Sequence, residues 1–260
     1  MRRHARAFSL IELLVVIAVI ALLISLLLPA LGKARESAKA ALCLAHNNQF
    51  ANAMSGYVND NKGYFPGDHR QIGATSWITW APRLRRYLQD DPRVFYCPSA
   101  RKEYKWTPVF NYNTAGFAKP TSYGYLPEER PLTGYEFFSY GYNGSGSVAW
   151  TTAPQLGLGL HVAPAEPNTP NPEPQWSEIK DSKVVAPSNM IAIADSLANG
   201  NWDTWITPSP LYPLSAPGKR HSGNSQVLFV DGHAVSMRQS ELMSTRPEAR
   251  ARWNNDHKPR

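Results

Sequence analysis

Hydrophobic and polar positions divide the chain into unlike stretches. Residues 13–28 form an unbroken apolar run whose sole polar member is Ser25, preceded by the basic head Arg2-Arg3-His4-Ala5-Arg6 and one carboxylate, Glu12. Phe8 to Leu28 supply about 20 residues, enough to cross roughly 30 Å of hydrocarbon as a helix. From Pro29 to about Tyr57 a helical period takes over. Leu31, Ala34, Ala38, Leu42, Ala45, Met54 and Val58 recur at helical spacings, with Lys33, Arg35, Glu36, Lys39 and Asn47 on other faces. The two segments predict one helix of about 50 residues, roughly 75 Å long at about 1.5 Å per residue. Asn59-Asp60-Asn61-Lys62-Gly63 should end it.

Beyond residue 63 the pattern is richer in turn formers. Trp77 to Leu88 contains a short amphipathic helix starting near Pro82; Asp90-Asp91-Pro92 breaks it, and Val94 to Ser99 reads as an extended piece ending at a turn. Tyr123-Gly124-Tyr125 and Phe138 to Gly144 read as strand edges or loops packed by aromatic rings. Six prolines between residues 153 and 174 impose an extended surface loop, and Pro208 to Gly218 make a similar excursion. Asn189 to Asp195 is apolar enough for a buried strand. Ser225–Val230 and His233–Arg238 flank Asp231-Gly232, which predicts a hairpin with a two-residue type I′ turn. After Glu241 the chain turns polar and basic, and residues 247–260 are expected to fray. The fold class implied is α+β: a long N-terminal helix packed on a small antiparallel β-sheet head with long Pro-rich loops. The helix takes residues 8–30 and 31–58, a loop-rich middle 59–185, the sheet 186–240 and a basic tail 241–260.

Composition changes this picture little. At 43% apolar and 18% charged the chain is globular, and 260 residues allow one anchored domain or two small ones. The charge of +7 rests largely on Arg2, Arg3 and Arg6 and on Arg246, Arg250, Arg252, Lys258 and Arg260. No Lys/Arg stripe interleaved with aromatics occurs mid-chain, so nucleic acid is not an expected partner. The N-terminal arginines favour a cytoplasmic start for the apolar segment. Three readings of that segment compete: a cleaved secretory signal, a plain anchor, and a segment that pairs with other copies of itself. A secretory core is about 7–15 residues long and ends at a small-residue cleavage site. This run is longer and carries Glu12. A plain anchor leaves Glu12 unexplained, because an acid inside a membrane helix costs about 2.5–3.5 kcal/mol on insertion scales.

Ala7-Phe8-Ser9-Leu10-Ile11-Glu12, set ahead of the apolar run, resembles the cleavage and methylation segment of type IV pilins and type II secretion pseudopilins. The resemblance implies a leader of residues 1–7, cleavage by a prepilin peptidase between Ala7 and Phe8, and N-methylation of Phe8. The usual residue before the cut is Gly; here it is Ala7. Removing the leader would leave 27 − 3 = 24 Lys/Arg against 20 Asp/Glu, a balance of +4. Glu12 would be the fifth residue of the mature chain, which in the family neutralises the N-terminal amine of a neighbouring subunit during assembly. Pro29 sits where the family often bends its helix. Further on, His221, nine residues and then Asp231-Gly232 are similar to the H-X9-DG pattern of a large class of pilin-like proteins with the same N-terminal segment. Cys43 with Asn47-Asn48-Gln49, Cys97-Pro98-Ser99, Ser139 to Asn143 and Ala194-Asp195-Ser196 extend that resemblance along the chain.

Cys43 and Cys97 are the only cysteines. In an oxidising compartment they would form a disulfide stapling helix to head, for about 2–4 kcal/mol; otherwise they are two buried thiols. The absence of a CxxC pair argues against zinc and redox chemistry. His221, Asp231, His233 and Asp195 form a polar cluster near the expected strands. Asp195 and Asp231 at strand ends would hold calcium, as some pseudopilins do beside their sheet. The alternative is structural, with Asp231 a turn residue and His221 a loop hydrogen-bonder. Ser196 lacks a G-x-S-x-G frame and no paired acids have an interpretable spacing, so no enzyme activity is expected. Eight Trp and twelve Tyr would suit a carbohydrate-stacking surface, with Trp202 and Trp205 the best local candidates, or simple packing. The expected function is a non-enzymatic filament subunit, processed by prepilin peptidase, without cofactor. It would span the inner membrane once, with its head in the periplasm or at the cell surface, and assemble with other pilin-like subunits into a type IV pilus-like or type II secretion pseudopilus filament. The alternative is an anchored surface protein that binds polysaccharide without polymerising.

Overall fold

A computed structural model describes residues 10–71, 77–102, 138–147, 156–159, 178–199 and 203–260. The two apolar periods fuse as expected: helix α1 runs unbroken from Leu10 to Asp60, 51 residues, through Pro29. Pro29 lacks the N–H that would bond the Ser25 carbonyl, so the ladder loses one rung where the apolar run ends. At the other end Lys62 (φ 57°) and Gly63 (φ 84°) turn left-handed, and Gly63 N–H donates to the Val58 carbonyl at 2.9 Å. That six-to-one bond is the Schellman way of satisfying a terminal carbonyl.

Strands β1 (His69–Gln71) and β2 (Trp77–Thr79) pair antiparallel and lead into α2, Trp80–Arg85. The main sheet is antiparallel throughout, in the order β3 (Tyr140–Tyr142), β4 (Ile191–Asp195), β5 (Asn224–Phe229), β6 (Ala234–Arg238). One face packs on α1: Tyr140, Tyr142, Ala192 and Leu228 join Cys43, Phe50, Ala53 and Met54 in a single cluster. Ile191, Ala194, Val227 and Phe229 point the other way and meet Ile206, Leu242 and Trp253. A register irregularity between Ile191 and Ile193 puts Ala192 and Ile193 in the same cluster. Trp80 stands at the centre, with ring centroids 5.7–6.5 Å from Phe50, Phe95, Phe138 and Tyr142. The α+β expectation is met.

Four local expectations need correction. All six residues of α2 are buried, so it is a core turn and not an amphipathic surface helix. Residues 92–95 form a 3-10 turn, which takes Val94 and Phe95 from the extended piece expected over Val94 to Ser99: Asp91 Oδ1 accepts from Arg93 N–H at 2.9 Å and Pro92 takes the first helical position. The hairpin after β5 is not a two-residue type I′ turn. Gly232 N–H bonds the Phe229 carbonyl at 3.0 Å and Gly232 alone is left-handed (φ 97°), so Val230, Asp231 and Gly232 make a three-residue loop. Type I′ geometry occurs at the opposite end of β5 instead. Ser222 (φ 56°) and Gly223 (φ 89°) lie between His221 and Asn224, which exchange two backbone hydrogen bonds of 3.3 and 3.1 Å.

The fourth correction is the tail: residues 247–260, expected to fray, fold back against the sheet. α3 (Gln239–Leu242) leads into it from β6 and α4 (Pro247–Ala251) lies within it; Trp253 is fully buried and its Nε1–H donates to the Leu242 carbonyl at 3.2 Å. The physical reason is the second sheet face, whose Ile191, Val227 and Phe229 must be covered by something.

Candidate functional site

Two features stand apart from simple packing. The first is the N-terminal half of α1. Between Leu10 and Leu28 fifteen Leu, Ile and Val side chains are exposed, from 46% at Val16 to 83% at Leu10. Burial begins only in the second half, at Cys43, His46, Asn47, Phe50, Ala53, Met54 and Val58. The spacing of three and four is that of one helix face, and it lies on the sheet. The first half is long and apolar enough to cross a membrane. Glu12 lies in its first turn, where the helix dipole favours a carboxylate. Ala7 and Phe8 lie outside the described residues; Pro29 is within α1, at the end of the exposed apolar run.

The second feature is a buried polar cluster at the end of the sheet where Asp195 closes β4. Cys43 comes from α1, Cys97 from the turn after the 3-10 segment, Asp195 from β4 and His221 from the residue ahead of the Ser222-Gly223 turn. All four are buried and their sulfur, nitrogen and oxygen atoms lie within 4.8 Å of one another. His221 Nε2 is 3.3 Å from Cys97 Sγ and 3.5 Å from Asp195 Oδ2, while Nδ1 faces Glu36 Oε1 at 3.7 Å. Asp195 Oδ1 accepts from Arg220 Nη2 at 3.2 Å, and Oδ2 accepts from Gln226 N–H at 2.9 Å. Arg220 also donates to the carbonyls of Ser139 and Ser196, at 2.7 and 2.5 Å. Around the rim, Ser99 Oγ donates to Glu36 Oε1 at 2.7 Å and Lys39 pairs with Glu36 Oε2 at 3.3 Å.

This geometry moves the proton affinities apart. A hydrogen bond from the Cys43 thiol, with His221 and Arg220 adding positive charge, holds the Cys97 thiol far below the ordinary range. Cys43 is pushed up, first because it donates to Cys97 and then by burial. Burial raises Asp195 to about 6 despite the Arg220 charge beside it. Burial opposes a charged His221, but the Cys97 hydrogen bond and the Asp195 charge outweigh it, and its pKa rises. Glu36 is lowered, chiefly by the Ser99 hydroxyl. The resulting arrangement is two thiols of opposed acidity, an imidazole, a carboxyl group and a guanidinium packed together, with the four ligand-type side chains buried.

Other expected site residues fall elsewhere. Cys43 and Cys97 are neighbours, as a disulfide would require, but both are free thiols. Asp195 and Asp231 cannot share a calcium ion. Asp195 is held at Gln226 near the start of β5 and Asp231 lies in the loop beyond the end of the same strand, so the extended stretch from Gln226 to Phe229 alone, about 10 Å, separates them. Asp231 instead caps its own turn, its Oδ1 accepting from His233 N–H at 3.1 Å and contacting His233 Nδ1 at 2.6 Å. Gly232 approaches Ala51 of α1, leaving 3.6 Å for a side-chain carbon. His221 and Asp231-Gly232 therefore serve opposite ends of β5, each against α1 or its neighbours. Trp205 is buried, 6% exposed, and its ring packs edge-on against Tyr212 at 5.3 Å, which removes it from any open stacking surface. Trp202 lies outside the described residues. The Ser196 hydroxyl is committed to the Phe138 carbonyl at 2.5 Å.

Sequence reasoning missed Glu36 and Arg220. Glu36 stands seven residues before Cys43, two helical turns and hence the same face, which was the available signal. Arg220 offered only its adjacency to His221.

The family match bears on the first feature. Residues 2–28 match the family description of a prokaryotic N-terminal methylation motif. The type IV wide pilus major component PilA4 of Thermus thermophilus is 42% identical over 62 residues, 24% of this chain and 47% of that protein. The chain thus spans about half the length of this curated relative. No solved structure matches the chain. The chain is therefore similar to type IV pilus components in its N-terminal methylation motif and in part of one such protein, and among the described residues it has one helix long and apolar enough to cross a membrane.

Proposed function

We propose that the chain is a structural, non-enzymatic filament subunit. A prepilin peptidase cuts between Ala7 and Phe8, the new amine of Phe8 is methylated, and residues 8–30 hold the subunit in the inner membrane until assembly. The observation that supports this most is the division of α1. One half is anchored in the head, and the other half exposes fifteen large apolar side chains. Each such side chain gains about 1.5–3 kcal/mol on full burial, so the segment requires lipid or the same segment of neighbouring subunits. A membrane-resident subunit that exchanges one for the other is the economical solution. Glu12 then gives each incoming subunit an ionic contact with the amine of a neighbour. The similarity to a wide pilus major component favours a pilus-like filament over a secretion pseudopilus, with the head in the periplasm or at the cell surface.

The N-terminal mass of protein isolated from its native membrane is the direct test. The expected terminus is N-methyl-Phe8; an intact Met1, or a terminus beyond Pro29, would overturn the reading. Glu12→Ala is expected to insert into the membrane normally and to be absent from sheared filaments. Filaments of Glu12→Ala at the level of the unmodified chain would remove the assembly role.

A further inference from the structure

We propose that Cys43, Cys97, Asp195 and His221 form a binding site for a borderline-soft divalent cation, zinc. The argument begins with the convergence of acceptors. Two sulfurs, a carboxylate oxygen and an imidazole nitrogen face one another from four separate chain segments, all buried, within 4.8 Å. Nε2 of His221 faces both Cys97 Sγ and Asp195 Oδ2, and one N–H cannot serve two such acceptors well. A cation at their centre satisfies all four donor atoms at once.

The dimensions suit zinc. Bonds of about 2.3 Å to sulfur and about 2.0–2.2 Å to nitrogen and oxygen set tetrahedral edges of about 3.4–3.8 Å. The two edges at Nε2 measure 3.3 and 3.5 Å. With every pair inside 4.8 Å, the longest contracts by only about 1 Å to reach that range. Two thiolates favour zinc over calcium or magnesium, which take oxygen ligands.

The surroundings supply what a ligated site needs. The Nδ1 of His221 is buried without a hydrogen bond and faces Glu36 at 3.7 Å. An approach of under about 1 Å would close the carboxylate–histidine hydrogen bond that orients a metal-bound imidazole. Asp195 is fixed by Arg220 and by the Gln226 amide. Two thiolates, one carboxylate and a divalent cation sum to one negative charge, and Arg220 beside them cancels it, so the buried unit is neutral. Glu36, about a third exposed (33%), marks the solvent side by which an ion enters.

The ion would cross-link α1, the turn at Cys97, the end of β4 and the approach to β5. The head would thereby be clamped to the helix that carries it. This assignment does not depend on filament assembly and is tested separately from it. It also reverses the inference drawn from the missing CxxC pair: the ligands pair in space, not along the chain.

The experiment uses the full chain purified in detergent under reducing conditions, with zinc added and then removed by gel filtration. One zinc per chain is expected by elemental analysis. Cobalt in its place should show the thiolate charge-transfer and d–d absorption of a tetrahedral site. Chelation should lower the melting temperature of the unaltered protein, a readout that needs no variant. Cys97→Ser should abolish retention. Glu36→Gln, at a position near the surface, should weaken affinity about 10–100-fold while preserving the circular dichroism spectrum. Three results would each overturn the proposal: no retained zinc, retention unchanged in Cys97→Ser, or a Cys43–Cys97 disulfide in protein isolated without reductant, seen as two missing hydrogens in the intact mass.

Discussion

Replacing Asn143 by Asp tests the account of the head most sharply, because it changes one atom and no shape. Asn143 is fully buried just after β3. Its Nδ2 donates to the carbonyls of Ile191 at 2.7 Å and Trp253 at 2.9 Å, and its Oδ1 accepts from Gly146 N–H at 3.0 Å. One side chain thus ties β3 to β4 and to the C-terminal tail. In Asn143→Asp the donor becomes an oxygen facing two carbonyl oxygens. The protonated acid satisfies only one of them, leaving a buried acceptor at a cost of about 1–3 kcal/mol. The ionised acid satisfies neither, so the folded state holds the proton and the pKa rises above its unfolded value of about 3.9. A raised folded pKa means that the folded chain binds more protons than the unfolded one, so stability falls as pH rises. The loss is about 1.4 kcal/mol per pH unit, or about 4 kcal/mol by pH 7 if the proton is still retained there. Together the two effects reach about 5–7 kcal/mol, comparable with the whole stability of many domains. The assay is denaturant unfolding of the full chain in detergent, followed by tryptophan fluorescence, between about pH 4 and pH 7. The variant should lie about 1–3 kcal/mol below its parent at the acid end and be largely unfolded in the head at neutral pH. Asn143→Ala, which cannot ionise, should lose a constant amount across the range. A pH-independent difference between Asn143→Asp and the unmodified chain would refute the hydrogen-bond assignment.

Further outcomes follow from the same structure. Trp253→Ala removes a fully buried indole and its hydrogen bond to Leu242, and should destabilise the head by about 3–5 kcal/mol in the same unfolding assay; a change below about 1 kcal/mol would mean the tail is peripheral after all. His46 is buried against the Tyr140 hydroxyl at 3.0 Å, and burial lowers its pKa. The folded state therefore resists its protonation, and stability present above about pH 6.5 is lost as pH falls through the lowered value. His46→Gln should flatten that part of the stability profile, whereas an unchanged profile would assign it to other groups.

Much of this molecule was legible in the chain, for reasons that differ by region. The helix could be read to within two residues of its C-terminal end, because an unbroken apolar run followed by a three-and-four period is a local signal, and Asn61-Lys62-Gly63 ends it with local chemistry. β4 could be read as buried because Ile191 to Ala194 carry no polar side chain. Asp91-Pro92 carried a cap-and-proline signature that should have identified the 3-10 turn. The type I′ turn could not be assigned securely, because Asp231-Gly232 and Ser222-Gly223 are both acceptable turn dipeptides and pairing register chose between them.

What the sequence determined by itself is the front of the protein: the methylation motif, the apolar segment and the helix that joins it to the head. Those properties depend on neighbours three or four residues apart. What only the tertiary structure decided is how residues distant in sequence meet. Trp253 and the basic tail are drawn in by an uncovered sheet face, and Trp205 is buried where an open ring was expected. Glu36, Cys43, Cys97, Asp195, Arg220 and His221 converge from positions spread over 186 residues (36 to 221). No periodicity announces such a cluster, because its members are brought together by the crossing of a helix and a sheet and not by any repeat along the chain.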